Sequence, residues 1–264
     1  VATLTWRALL AEATAKVGAV DARWIVAEAS GYEGAELALH LDEPCTRRAV
    51  AHADDMLARR QAGEPLQYVL GHWAFRTLDL MVDRRVLIPR PETEWVVEIA
   101  LGEARAIAAT LLAGEPLLVA DLGTGSGAIA LSMAVEAGAE VWATDVSDEA
   151  LEVARANVAG TGGPAATRVR LLQGDWFAAL PEELAGLLHV VVSNPPYVGA
   201  AEVLPPEVSG WEPPGALVAG PTGLEAIEVI VAEAPRWLAP AGVLVVEVAP
   251  HHAAAVVGLA RAAG

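Results

Sequence analysis

The chain has 264 residues, 54% of them hydrophobic and 19% charged, which suits one large core plus a second small one and excludes a disordered chain. Its net charge of −17 argues against a grip on duplex nucleic acid, whose binders draw most of their affinity from Lys and Arg on phosphates; Arg84, Arg85 and Arg90 form one local basic group. The single cysteine, Cys45, excludes an intrachain disulfide, the opening residues lack the basic-then-apolar order of a leader, and no apolar stretch reaches the roughly 18 to 20 residues of a membrane span, so a cytoplasmic protein without a membrane segment is expected.

From Leu4 to about Gln61 apolar residues recur at helical spacing: Leu9, Leu10, Ala13 and Val17, then Trp24, Ile25 and Ala29, then Val50, Met56 and Leu57. Breaks are expected at Gly31, Gly34 and Pro44, and an end at Gly63-Glu64-Pro65, so residues 1–71 read as a small helical domain. Residues 72–82 alternate apolar and polar side chains, which predicts a short hairpin within a linker of residues 72–85.

Residues 86–264 form the predicted second domain. Helical stretches there alternate with the apolar runs Leu117–Leu122, Val141–Asp145, Val169–Gln173, Leu188–Ser193 and Val243–Val248. That alternation predicts an α/β fold, a doubly wound, mostly parallel sheet of the Rossmann-like kind.

The first of these strands runs into Asp121-Leu122-Gly123-Thr124-Gly125-Ser126-Gly127, and a helical pattern follows at once. Glycines let the backbone turn tightly and approach a ligand, while the helix start offers free N–H groups, so a nucleotide-like ligand is implied. Gly123, Gly125 and Ala128 also satisfy the dinucleotide pattern G-x-G-x-x-G/A, with Asp145 about 20 residues on, so this loop alone leaves a nicotinamide dinucleotide open. Asp145 stands at a strand end, where a carboxylate can accept two ribose hydroxyls or simply cap the strand. After the third strand comes Gly174-Asp175-Trp176-Phe177, suited to an adenine amino group and ring, or equally to a buried core Trp.

The fourth strand ends in Asn194-Pro195-Pro196-Tyr197. Pro195 pushes Asn194 out of the α region and both prolines fix φ near −65°, so the loop is a rigid mount. The Asn194 side-chain oxygen and a neighbouring carbonyl can accept both hydrogens of a substrate NH₂, and Tyr197 offers a flat wall for a planar group. Hydride transfer gives no reason for such a loop, which favours methyl transfer to a planar nitrogen over dinucleotide chemistry.

Together these stretches resemble the release-factor glutamine methyltransferases, the HemK or PrmC type, over nearly the whole chain. The resemblance rests on Gly63-Glu64-Pro65-Leu66-Gln67-Tyr68-Val69-Leu70-Gly71, on Val86-Leu87-Ile88-Pro89-Arg90-Pro91-Glu92-Thr93-Glu94, on the two loops above, and on Glu212-Pro213 with Ala216-Leu217, Gly220 and Gly223-Leu224. It implies a class I S-adenosylmethionine-dependent methyltransferase domain of seven strands behind a helical substrate-recognition domain. It further implies that Gly123, Thr124, Gly125, Ser126, Gly127, Asp145 and Trp176 hold S-adenosylmethionine, that Asn194 touches both ligands, and that Pro195, Pro196 and Tyr197 shape the glutamine pocket. The implied substrate is the Gly-Gly-Gln loop glutamine of a peptide-chain release factor, met by a monomer. Glutamine methylation of a ribosomal protein, and amino-methylation of adenine in nucleic acid, are the alternatives that use the same loop chemistry; a non-catalytic cofactor-binding module would need a defective Asn194 loop.

Two departures from the family pattern stand out. Ala249 follows Glu247 and Val248 where the family carries a glycine, and the chain ends at Gly264 before the final strand pair the family implies, which would leave a sheet edge unpaired. Glu92 and Glu94 beside Arg90 read either as lining the mouth of the site or as solvated charges at a helix start. His251 and His252 diverge by about 100° on a helix, so no metal site is expected.

Overall fold

In the computed structural model, which describes residues 4–32 and 35–264, the chain divides into two compact units, Val1–His72 and Trp73–Gly264. Among its described residues the first holds four α-helices, α1 (Trp6–Val17), α2 (Ala19–Ser30), α3 (Arg47–Gln61) and α4 (Leu66–Leu70). The Thr5 and Thr46 side chains cap α1 and α3 by accepting the N–H groups of Ala8 and Ala49, which satisfies donors the helices leave open. Gly31 closes α2 at φ 74°, a left-handed cap that glycine takes without steric cost. The expected break at Gly34 lies outside the described residues.

Leu9, Ala13, Ile25, Met56 and Leu57 form the core of this unit, with Leu10, Val17 and Ala29 packed against it. Trp24 does not join them: it is 48% exposed, because Ala22, Ile25 and Val26 carry the inner face of α2. Past α3, the Arg59 guanidinium donates to the Glu64 carboxylate and to the Tyr68 and Val69 carbonyls. One buried-edge cation thus folds the Gly63–Gly71 stretch back on its own helix.

The second unit opens with a ribbon of β1 (His72–Phe75) and β2 (Leu78–Met81), whose Phe75 and Leu80 belong to this unit's core. Arg76 in its turn takes φ 53°, held there by ion pairs to Glu136 and Glu98 and by its N–H on the Glu94 carboxylate. In order follow α5 (Pro91–Ala108), β3 (Leu118–Leu122), α6 (Ala128–Glu136), β4 (Glu140–Asp145), α7 (Asp148–Thr161), α8 (Gly163–Arg168), β5 (Val169–Gln173) and β6 (Leu188–Ser193). The remainder is β7 (Val198–Gly199), α9 (Pro206–Ser209), β8 (Val218–Gly220), α10 (Glu225–Trp237), β9 (Leu238–Val246) and α11 (Ala253–Ala263).

Five strands make one parallel sheet in the order β5-β4-β3-β6-β9. Successive residues point to opposite faces. Val119, Val141, Val190 and Val192 pack under α5 and α6, whereas Ala120, Leu122 and Val191 pack with Phe177 and α10. Burial on both faces is why these strands read as continuous apolar runs rather than as alternating ones. The chain passes from β3 outward to β4 and β5, then returns to the other side of β3 as β6. That reversal opens a crevice at the carboxyl ends of β3, β4 and β6, where open α/β sheets bind ligands.

Where the resemblance implied seven strands, the sheet has five among the described residues, with β9 at one edge. Ala249 takes φ −61° and ψ 140°, which any L-residue adopts, so this turn does not need the family's glycine.

Candidate active site

At the crevice, Gly123, Gly125 and Gly127 all take positive φ (73°, 55° and 84°) between β3 and α6. A Cβ on Gly123 would lie 3.2 Å from the Trp176 ring, so the glycine there serves close approach as well as the turn. Beneath the loop the fully buried Asp121 accepts from the Thr124 hydroxyl at 2.6 Å and from the Ala130 N–H at 3.1 Å. Desolvation, with the Asp145 charge adding to it, pushes the Asp121 carboxyl up to about 7. From α7, the Asn157 amide donates to the Ser126 and Met81 carbonyls and accepts the Met81 N–H, tying loop to ribbon.

Asp145 at the end of β4 accepts the Gly125 N–H at 2.8 Å and the Ser147 N–H at 2.9 Å. Burial raises its carboxyl, and these backbone donors hold it down in part. The Trp176 backbone sits at φ 43°, a left-handed conformation uncommon for a bulky residue, just after Gly174. Gly174 is required there: a Cβ would come 2.7 Å from the Ala179 Cβ.

The loop after β6 is anchored by Ser193, whose hydroxyl donates to the Leu122 carbonyl at 2.6 Å. The Asn194 Nδ2 donates to Thr93 Oγ1 at 2.9 Å, and the Thr93 hydroxyl donates to Glu247 Oε2 at 2.7 Å. The Tyr197 hydroxyl donates to the other oxygen, Glu247 Oε1, at 3.2 Å. Burial, then the Glu247 charge, push the Tyr197 phenol up to about 12, while burial raises Glu247 itself.

A cavity of about 300 Å³ brings together Gly123, Gly125, Asp145, Trp176, Asn194 and Pro196. Of the other residues singled out in the sequence, Thr124 and Ser126 are buried and do not line it, Gly127 precedes the first turn of α6, and Tyr197 faces Glu247. Pro195 is not among the lining residues. Its lining is completed by two stretches, Arg85, Val86 and Leu87 ahead of α5 and Pro213, Gly215 and Ala216 after α9. Glu212 clasps the two stretches: its buried carboxylate accepts the Ile88 N–H at 3.1 Å and pairs with Arg90.

The local basic group is not a free cationic patch, since Arg85 is paired with Asp83 and Glu152, Arg90 with Glu212, and Arg84 lies over the Trp211 ring. Glu94 in the first turn of α5 is spent on the Arg76 N–H. Sequence reading missed Asn157 altogether and gave Thr93, Glu212 and Glu247 no role, although Thr93 and Glu212 stand within the stretches that carry the resemblance and Glu247 is a lone charge in an apolar run. Among the described residues no cluster of His, Cys, Asp or Glu is arranged to hold a metal, and no helix is long and apolar enough to cross a membrane.

The PrmC N-terminal domain family matches residues 2–71, and the methyltransferase small domain family matches residues 104–205. A release factor glutamine methyltransferase of Cereibacter sphaeroides is 41% identical over 258 residues, spanning 97% of this chain and 87% of that protein. One from Burkholderia pseudomallei is 44% identical over 256 residues, 93% of this chain and 85% of that protein. Among solved structures, a methyltransferase from Pyrococcus furiosus aligns with a TM-score of 0.50 at 20% identity, covering 78% of this chain and 86% of that one, a likeness of fold.

Proposed function

The chain belongs to the release factor glutamine methyltransferase family, and we propose on that footing that it transfers a methyl group from S-adenosylmethionine to the side-chain amide nitrogen of the glutamine in the Gly-Gly-Gln loop of a peptide-chain release factor. The observation that carries the reading is the meeting of two loops in one cavity, the glycine loop with Asp145 and the Asn194-Pro195-Pro196-Tyr197 loop.

The residues fit the cofactor. Gly123 and Gly125 leave room for close backbone approach, Asp145 presents a carboxylate for ribose hydroxyls, and Trp176 stands beside them as a flat apolar surface. S-adenosylmethionine, when bound, supplies an electrophilic methyl group on a sulfonium.

A glutamine side-chain nitrogen is a weak nucleophile because its lone pair is delocalised into the carbonyl. The protein's contribution is therefore position. With its NH₂ end on Thr93, Asn194 keeps its oxygen to accept from the substrate NH₂, a neighbouring loop carbonyl accepts the second hydrogen, and the pyrrolidine of Pro196 walls the cavity. Such a site is selective for an NH₂ held in a plane. No group in the cavity is needed as a dedicated base if water takes the proton as the new bond forms. The helical unit of residues 1–72 is assigned to recognition of the release factor, and the protein is taken to act as a monomer in the cytoplasm. Adenine in nucleic acid is less favoured, because carboxylates already hold Arg85 and Arg90.

The test is mass spectrometry of an intact release factor incubated with the protein and S-adenosylmethionine. One methyl group on the Gly-Gly-Gln glutamine is expected, and none after that glutamine is replaced by glutamate. Methylation of the glutamate form would mean ester formation and would end the nitrogen-specific reading.

A further inference from the structure

Three elements distant in sequence meet behind Asn194: the first turn of α5 brings Thr93, the end of β6 brings Asn194, and the residue after β9 brings Glu247. Parallel pairing of β6 with β9, extended by the Glu247 N–H on the Ser193 carbonyl at 3.0 Å, sets Glu247 beside the loop that carries Asn194. Thr93 and Glu247 are both buried, 4% and 8% exposed, so water is a poor substitute for either partner.

With Glu247 ionised, the protons in this chain have one consistent arrangement. An ionised carboxylate only accepts, so the single Thr93 proton goes to Glu247, at 2.7 Å. The Thr93 oxygen then offers only lone pairs to Asn194, and only the NH₂ end of an amide can satisfy them. The same carboxylate takes the Tyr197 hydroxyl on its other oxygen.

We infer that Glu247 and Thr93 are positioning residues, which dictate through one hydroxyl that the Asn194 amide turns its oxygen, not its nitrogen, toward the substrate. A reversed amide would set donor against donor at the substrate NH₂. This rests on the reading of Asn194 as the acceptor for that NH₂.

The test is a double-mutant cycle on the full chain, with an intact release factor and S-adenosylmethionine as substrates. Thr93→Val, which keeps the shape and removes the hydroxyl, is expected to lower kcat about 10- to 100-fold, the scale of a lost or reversed buried hydrogen bond. It should leave binding of S-adenosylhomocysteine within about twofold, and Thr93→Ser should restore kcat to within about threefold of the parent. In an Asn194→Ala background the same Thr93→Val change should cost less than about twofold, because no amide remains to be turned. A purely structural threonine would cost the same in both backgrounds, and that result overturns the inference, as does parental kcat in Thr93→Val or a Ser variant as poor as the Val one. The Asn194 side-chain NH₂ signals, identified by their loss in Asn194→Ala, give a readout independent of turnover: slow proton exchange in the parent and fast exchange in Thr93→Val are expected. Equal exchange in the two refutes the inference, whereas a parent that leaves the release factor unmethylated refutes the functional reading instead.

Discussion

Removing the Glu212 carboxylate tests whether the two stretches that complete the cavity lining are held by that one side chain. In Glu212→Ala the buried Ile88 N–H loses its acceptor, and an orphaned buried donor costs about 1–3 kcal/mol. The lost pairing with Arg90 adds less, up to about 1 kcal/mol, since the Arg90 side chain is 30% exposed and water replaces much of what the carboxylate gave. The sum is a destabilisation of about 1–4 kcal/mol. Glu212→Gln is the discriminating control: its amide oxygen can still accept the Ile88 N–H, so only the Arg90 contribution is lost, about 1 kcal/mol. Urea unfolding of the two variants, with hydrogen exchange at the Ile88 amide, measures both quantities. Because Val86, Leu87, Pro213 and Gly215 line the cavity, S-adenosylhomocysteine should also bind more weakly to the Ala form than to the Gln form. Equal destabilisation by Ala and Gln, or an unchanged Ile88 exchange rate in Glu212→Ala, would refute the clasp.

Asp145→Ala should weaken S-adenosylmethionine by about 1.5–3 kcal/mol, the range of lost charge-assisted hydrogen bonds, as read by calorimetry; tight NAD binding to the parent protein would instead overturn the cofactor assignment. For Asp121 the folded pKa of about 7 stands above the unfolded value of about 3.9, so the native state holds the extra proton and its stability falls as pH rises between those values. Asp121→Asn lacks that proton, and its stability relative to the parent should therefore climb from about pH 4 to about pH 7, by at most about 1.4 kcal/mol per pH unit, in urea titrations; a pH-independent gap would show that the carboxyl is not perturbed. Deleting residues 1–72 should spare cofactor binding and abolish methylation of an intact release factor, and full activity of the remainder on that protein would remove the recognition role from the helical unit.

The positions of the five strands were legible because a strand buried on both faces has no choice but a continuous apolar run, and Val190-Val191-Val192 could be little else. The glycine loop was legible for a related reason: a short turn with three residues at positive φ favours glycine at each, and the preference is local to the backbone. β9 begins five residues ahead of the expected Val243, since a stretch with Ala239, Pro240 and Gly242 carries no apolar periodicity yet continues the strand that Leu238 starts beside Leu188. Trp24 misled for the opposite reason: it is apolar and correctly spaced, but which face of an amphipathic helix turns inward is set by what the other helices present to it.

In the site the division is sharper. Asp145, Trp176 and the Asn194 loop sit at the carboxyl ends of strands, and a parallel sheet brings all such ends to one edge, so naming the strands was enough to gather them. Thr93 and Glu247 stand 154 residues apart and neither belongs to a strand-end loop with a ligand-binding pattern. Their contact exists only because the start of α5 lies beside the paired ends of β6 and β9, and a hydroxyl proton takes its direction from the nearest buried carboxylate, a relation that no local stretch of sequence encodes. The sequence alone therefore determined which backbone could turn and where strands must end, whereas the orientation of the Asn194 amide was left to side chains that only the folded sheet brings within hydrogen-bonding distance.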